Sequence, residues 1–321
     1  MNLPRPLLLI AMGLAFVVVV LGAYVRLSNA GLGCPDWPGC YGQVSPWHAG
    51  DAIAAAHASD PLGPVSHAKA WKEMLHRYLA GTLGLLVLAI AWLAWRRLPP
   101  NRRRLPSALL ALVIFQALLG MWTVTQQLRP VVVAAHLLGG MATLALLGWL
   151  ALGWQSRGQS DSFVASGAPI GLARGLLALV AIQIALGGWV SANYAALACP
   201  DLPTCQGSWW PEADFAAGFG LSHPLGGLAS DALTAIHLAH RLGALLVLAG
   251  VLMLAWRLAR ATGWGRAVAW LLVVASVQIL LGLGNVLLGL PLPVAVAHNA
   301  GAAALLLSLV WVNVRLQRRP S

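Results

Sequence analysis

The sequence predicts an all-α membrane protein whose eight transmembrane helices form two tandem, parallel four-helix bundles, related by a pseudo-twofold axis along the membrane normal. Three observations carry this expectation. Apolar residues make up 59% of the 321 and charged residues only 9%, far from the composition of a soluble domain. Eight segments are apolar over the roughly 20 residues a helix needs to cross a bilayer. A pattern in residues 21–40 returns at 186–205, the mark of a structural repeat.

The first span covers roughly 6–27. It resembles a secretory leader in length, but no small-residue cleavage site follows and its end belongs to the repeat, so it reads as a span. A loop of about 28–70 comes next, and then spans at roughly 71–95, 106–126 and 131–154. The polar stretch Gln-Ser-Arg-Gly-Gln-Ser-Asp-Ser near 155–170 reads as a linker. It divides the chain into a bundle at 1–155, a linker at 156–170 and a second bundle at 171–321. Spans at roughly 171–192, 232–257, 265–289 and 292–316 complete the second bundle, with a loop of about 193–231 after the first of them.

The repeat is specific. Cys34, Pro35, Asp36, Pro38 and Cys40 recur as Cys199, Pro200, Asp201, Pro203 and Cys205; Gln116-Ala-Leu-Leu-Gly120 recurs as Gln278-Ile-Leu-Leu-Gly282; His136 falls on His298. Four spans per half is an even number, so both halves enter the membrane in the same direction, unlike the inverted repeats of many transporters.

The net charge of +11 does not indicate a nucleic-acid partner, because the basic residues sit in alternate loops. Arg96, Arg97, Arg102, Arg103 and Arg104 follow the second span, Arg157 and Arg174 lie between the fourth and fifth, Arg257, Arg260 and Arg266 follow the sixth, and Arg315, Arg318 and Arg319 end the chain. This positive-inside bias puts both termini in the cytoplasm and the two long, cysteine-bearing loops outside.

Four histidines are the main clue to chemistry. His76, His136, His240 and His298 each follow the onset of a span by about five to nine residues, or about 8–13 Å of rise. Ionisable groups inside a membrane are costly and mark function. Two imidazoles per half, on separate helices at one depth, suit axial ligation of a haem iron, pairing His76 with His136 and His240 with His298. Zinc would need more converging ligands than the apolar helices offer. Glycines near each histidine leave room for a flat macrocycle or let the helices approach closely. His48, His57, His67 and His223 lie in the loops and read as solvated.

The halves differ where chemistry would need them to. Glu73 stands one turn before His76, whereas His237 stands in that place before His240. As a helix-terminal acid Glu73 would favour the macrodipole; as a proton donor or acceptor it would serve a reacting substrate, and its presence in one half alone favours the second role. Arg77 and Arg241 follow the two histidines directly, and Arg26 ends the first span opposite Ser191. All three suit carboxylates at the rim of a bound group, or interfacial snorkelling. The only four cysteines form Cys34/Cys40 and Cys199/Cys205. Each pair reads as a disulfide staple of a small loop, or as a redox pair exchanging with a thiol–disulfide partner.

The chain resembles the haem A synthases. The resemblance covers nearly its whole length and rests on Gly22-Ala-Tyr-Val-Arg26-Leu with the following Gly-Leu-Gly-Cys-Pro-Asp-Trp-Pro-Gly-Cys, on Glu73-Met-Leu-His76-Arg77, and on His136, His240-Arg241 and His298. The resemblance implies oxidation of a haem O methyl group to a formyl by successive hydroxylations, giving haem A for cytochrome oxidase, with water as the proposed oxygen source. It also implies haem b as cofactor between His240 and His298, haem O as substrate near His76 and His136, and Glu73 as the catalytic acid. The two cysteine pairs place the chain with the cysteine-containing branch, in a bacterial plasma membrane. Implied partners are haem O synthase and oxidase assembly factors, together with an electron acceptor that the sequence does not identify. The competing expectation is a bis-histidine dihaem electron-transfer cytochrome, to which symmetric halves would be better suited. A transporter or a thiol oxidase leaves the four histidines unexplained.

Overall fold

The computed structural model describes residues 3–154 and 169–317. In chain order its α-helices are α1 (Arg5–Leu27), α2 (Gly50–Ser59), α3 (His67–Arg97), α4 (Pro100–Thr125), α5 (Pro130–Trp154), α6 (Ile170–Ala192), α7 (Phe215–Gly218), α8 (Ser230–Ala259), α9 (Gly265–Leu287) and α10 (Leu292–Leu316). Among the described residues there is no strand beyond two isolated bridges. All except α2 and α7 are long and apolar enough to cross a membrane. Even the 23 residues of α6 rise about 34 Å, more than the roughly 30 Å of a hydrocarbon core. Large apolar side chains such as Ile10, Leu85 and Leu280 face outward, as a lipid-facing surface requires. This is the layout of a multi-pass membrane protein.

Eight spans were expected and eight are found, with differences at the ends. α3 begins at His67 because Ser66 caps it, its side chain accepting from Lys69 N–H. α4 begins at Pro100 rather than Pro106. A proline is at home in a first turn, where no intrahelical partner is lost, and α4 runs on through Pro106. All but the last two residues of the expected linker at 156–170 lie outside the described residues.

The chain divides into two compact units, Met1–Thr143 with Leu221–Gly227, and Leu144–Gly220 with Leu228–Ser321. In the first, α1 and α4 both pack on α3, and Gly140 of α5 faces Val19 of α1. In the second, α6 and α9 each pack against both α8 and α10. Polar ties join these helices: Asn313 Nδ2 donates to the Ala173 carbonyl at 3.0 Å, and Trp270 Nε1 to Ser308 Oγ at 3.0 Å. Buried polar groups need such partners. Trp189 Nε1 ties α6 to the Gly218 carbonyl of α7 at 2.8 Å.

Both long loops contain the same small structure. Cys34–Cys40 and Cys199–Cys205 are closed disulfides, each followed by a tight turn bridging Cys40 to Gln43 and Cys205 to Ser208. Positive φ at Tyr41 and Gly42, and at Gln206 and Gly207, makes both turns type I′, for which glycine at the second position is suited. In each, an aspartate caps the turn. Asp36 accepts from Tyr41 and Gly42 N–H at 2.6 and 2.7 Å, and Asp201 from Gln206 and Gly207 N–H at 2.6 and 3.0 Å. The Thr204 hydroxyl also donates to Asp201, and this bond, with the Gly207 amide, holds the Asp201 carboxyl below its usual range. Burial, and then the negative charge of Asp36, push the Tyr41 phenol up.

Candidate functional site

The four histidines come together in two pairs. His76 of α3 and His136 of α5 have ring centroids 6.5 Å apart with planes at 87°. His240 of α8 and His298 of α10 are also 6.5 Å apart, at 82°. A metal–imidazole bond of about 2 Å plus about 1.2 Å from ring nitrogen to ring centre puts two trans imidazoles about 6.4 Å apart. Each gap has the width that two imidazoles would leave for one iron between them. Nδ1 of His76, His136 and His298 is buried without a hydrogen bond, a rare state that points to a partner from outside the chain. Among the described residues, no three His, Cys, Asp or Glu side chains gather as a metal cluster.

Each ring lies against a glycine of a neighbouring helix. A Cβ placed on Gly22 of α1 would stand 3.0 Å from His76 Cε1, and one on Gly187 of α6 would stand 3.0 Å from His240 Cε1. Gly282 of α9 faces His298 Cε1 at 3.1 Å, and Gly120 of α4 faces His136 Cε1 at 3.4 Å. The repeat already aligned Gly22 with Gly187 and Gly120 with Gly282; their shared task is to let an imidazole sit flush with a main chain.

The glycines after the histidines have a different use. A Cβ on Gly139, Gly243 or Gly301 would collide with the amide of Gln116, Gln183 or Gln278 respectively, and nothing lies near Gly81. Three of these positions are thus filled by glutamine. From its notch, Gln183 Nε2 reaches His240 Nδ1 at 3.0 Å and the His240 carbonyl at 2.9 Å. Gln278 Nε2 lies 3.3 Å from His298 Nε2. These glutamines were not singled out as contacts from the sequence, although Gln-x-x-x-Gly occurs three times at matched places.

Glu73 is buried on the same face as Arg77, one turn on. Its Oε1 pairs with Arg77 Nη2 at 2.5 Å, and its Oε2 accepts from the Cys34 N–H at 3.0 Å. In the second half His237 is buried in its place, and its Nδ1 donates to the Ala195 carbonyl at 2.9 Å. Both residues tie the start of a loop to the histidine-bearing helix, one as acceptor and one as donor.

The arginines tie down the rest of the loops. Arg77 Nη1 donates to the carbonyls of Asp36 and Gly39 at 2.8 and 2.5 Å. Arg241 donates to those of Thr204, Cys199 and Asp201 at 2.7, 2.8 and 2.9 Å. Carbonyls turned inward by the disulfide turn meet a planar fork of donors, an arrangement that suits arginine. Arg26 lies in the last turn of α1, one turn beyond Gly22.

Comparison with known proteins finds a family and relatives that span nearly the whole chain. A family model described as cytochrome oxidase assembly protein, COX15-CtaA, matches residues 5–310. A haem A synthase from Shewanella oneidensis is 45% identical over 324 residues, covering 98% of this chain and 97% of that protein. Proteins of the same name from Sphingopyxis alaskensis and Rhizorhabdus wittichii are 31% and 29% identical, over 95% and 98% of this chain and 90% and 96% of their own.

Proposed function

The chain belongs to the COX15-CtaA family of cytochrome oxidase assembly proteins, and from that premise we propose that it is a haem A synthase. The observation that carries this reading is the pair of equal histidine gaps, 6.5 Å each, with a buried carboxylate beside only one of them. In this reading His240 and His298 hold haem b, and His76 and His136 hold the substrate haem O by its iron. Haem b, when bound, supplies one-electron transfer with little rearrangement.

Oxidation of the methyl group to a formyl consumes one water and releases four protons and four electrons, as two hydroxylations followed by loss of water from the geminal diol. The electrons need an acceptor, a role that haem b held by His240 and His298 would be able to serve. The protons need a base at the reacting carbon, and Glu73 is the ionisable carboxylate one turn from His76. Arg77 holds that carboxylate in place, and the Cys34 N–H fixes its second oxygen. Arg26 suits the propionates of the substrate. Arg77 and Arg241 would reach propionates only through donors left over from the loops, Arg241 through its unpartnered Nε.

The positive-inside bias of the basic loops supports cytoplasmic termini, with the disulfide loops on the outer face of a bacterial plasma membrane. Haem O synthase as supplier, oxidase assembly factors as recipients, and a thiol–disulfide partner for either cysteine pair belong to the same proposal.

The equality of the two gaps also favours a second reading, a bis-histidine dihaem electron-transfer cytochrome. The test is to purify the chain from a host that makes haem O and to separate the extracted haems by reversed-phase chromatography. Haem B with haem A or a hydroxylated haem O supports the synthase. Haem B alone, at two per chain, would leave the electron carrier.

A further inference from the structure

Three of the four histidines share a lock that the fourth lacks. In sequence it reads Gln-x-x-x-Gly on one helix and His-x-x-Gly on its neighbour. The sets are Gln183/Gly187 with His240/Gly243, Gln278/Gly282 with His298/Gly301, and Gln116/Gly120 with His136/Gly139. In space the first glycine faces the ring, and the glutamine amide fills the notch left by the second. The fourth set keeps Gly22 against His76 but has Val18 at the glutamine position and Leu79 at the notch. Both parts of the lock are missing together, as a device that works only as a pair would be.

We propose that Gln183 is a positioning residue that fixes His240 as a permanent axial ligand, and that Val18 and Leu79 leave His76 without a glutamine hold so that the N-terminal half exchanges its haem. The inference rests on the assignment of haem b to His240 and His298. A neutral imidazole bound to a metal through one nitrogen carries its proton on the other, and an acceptor there sets the ring's orientation and its basicity. Gln183 is placed for that role. Its amide lies 3.0 Å from His240 Nδ1, is anchored on the His240 carbonyl, and keeps a buried Oε1 with no other partner. With Nε2 of His240 on an iron, turning the amide would exchange its bond to the His240 carbonyl for one from the Nδ1 proton to Oε1. Gln278 stands against the other nitrogen of its ring, its amide 3.3 Å from His298 Nε2 while His298 Nδ1 is left unpartnered, so the Nδ1 contact is particular to Gln183. In the first half Gln116 fills its notch at Gly139, but no side-chain amide stands against His76. The His76 ring is held instead by the Val18 main chain, and a half that must accept a substrate and release a product on each turnover benefits from the absence of the second, side-chain hold.

The experiment uses the full-length, haem-loaded protein in detergent and follows two quantities: the rate at which haem passes to excess apomyoglobin, and the reduction midpoint of the low-spin haem. Gln183→Val should speed loss of haem b by about 10- to 100-fold, the usual effect of removing an outer-shell partner. Gln183→Glu should restore retention and lower the midpoint, because a carboxylate makes the imidazole a stronger donor. A purely structural role would not move the midpoint in that direction. Val18→Gln combined with Leu79→Gly should slow release of haem O from the first half by a similar factor. Wild-type release and an unchanged midpoint in Gln183→Val would overturn the proposal. If that variant does not accumulate, the Val18→Gln/Leu79→Gly protein decides alone, with unchanged release overturning the idea. Haem b that survives His240→Ala would instead overturn the assignment of the cofactor to the C-terminal half, whatever the glutamine variants do.

Discussion

The main-chain N–H of Cys34 donates to the Glu73 carboxylate at 3.0 Å, across 39 residues of chain. The same carboxylate holds Arg77, and Arg77 holds the carbonyls of Asp36 and Gly39. One acidic group thus joins the first disulfide loop to the turn of α3 that carries His76.

Glu73→Ala should lower haem A formation by roughly 10²- to 10⁴-fold, the range for loss of a positioned acid or base. Glu73→Gln keeps an acceptor for Cys34 but cannot cycle a proton. It should lose activity like the alanine variant while leaving the loop as protected from protease as in the wild type. Full activity in Glu73→Gln would confine the residue to anchoring. Product haems by chromatography and limited proteolysis together make the measurement.

Substituting the ring-facing glycines should give a graded series. Alanine at Gly22 or Gly187 puts a methyl carbon 3.0 Å from a ring carbon, which forces the imidazole off its axis; at Gly120 the distance is 3.4 Å and a small shift suffices. Haem content by absorbance should fall most for Gly187→Ala, which faces His240. Methyl oxidation should fall for Gly22→Ala with haem b retained, and Gly120→Ala should be the mildest. Equal effects at all of these sites would rule out steric control of the rings.

Arg241→Ala should loosen the second disulfide loop. Loss of even one charge-assisted bond, at about 1.5 kcal/mol or more, raises the open population roughly tenfold or more. Protease nicking between 199 and 208 reads this directly. Arg241→Lys should not rescue it, since a single ammonium cannot reproduce a fork spread over three carbonyls.

The turn capped by Asp201 should open in acid. Its carboxyl is held below the ordinary value of 3.8 by the Thr204 hydroxyl and the Gly207 amide. A depressed pKa contributes stability that is fully present above the unfolded value and is lost as the pH falls through the folded one. Loop protection should therefore be flat above about pH 5 and should decline only below the normal aspartate range near 4. Asp201→Asn should remove that acid-dependent step. A decline starting near pH 6 would show that a different group controls the loop.

The spans, the duplication and the histidine pairs were legible in the sequence because each is a local pattern: hydropathy over a window, a motif recurring at fixed spacing, a histidine at a given depth in a helix. The closed disulfides match one of the two readings that cysteines only six residues apart allowed. What escaped notice depends on two helices at once. Gln183 and Gly243 lie 60 positions apart, and nothing in either segment alone says that one fills the other. Arg77 and Arg241 looked like rim residues beside histidines. Only the loop's return over the helix end, with its carbonyls turned inward, shows what their side chains hold. The start of α4 at Pro100 and the loop helices α2 and α7 were missed for a simpler reason: short or proline-rich segments carry little periodicity.

Four main-chain notches, at Gly22, Gly120, Gly187 and Gly282, face four rings. A glycine has no rotamer, so each notch works as a fixed gauge, and the two halves of the duplicated chain span the same gap with the same tool. At His76 the gauge stands without the glutamine found beside the other three rings. If the two halves differ in how firmly they hold a haem, that difference needs no new binding site in either.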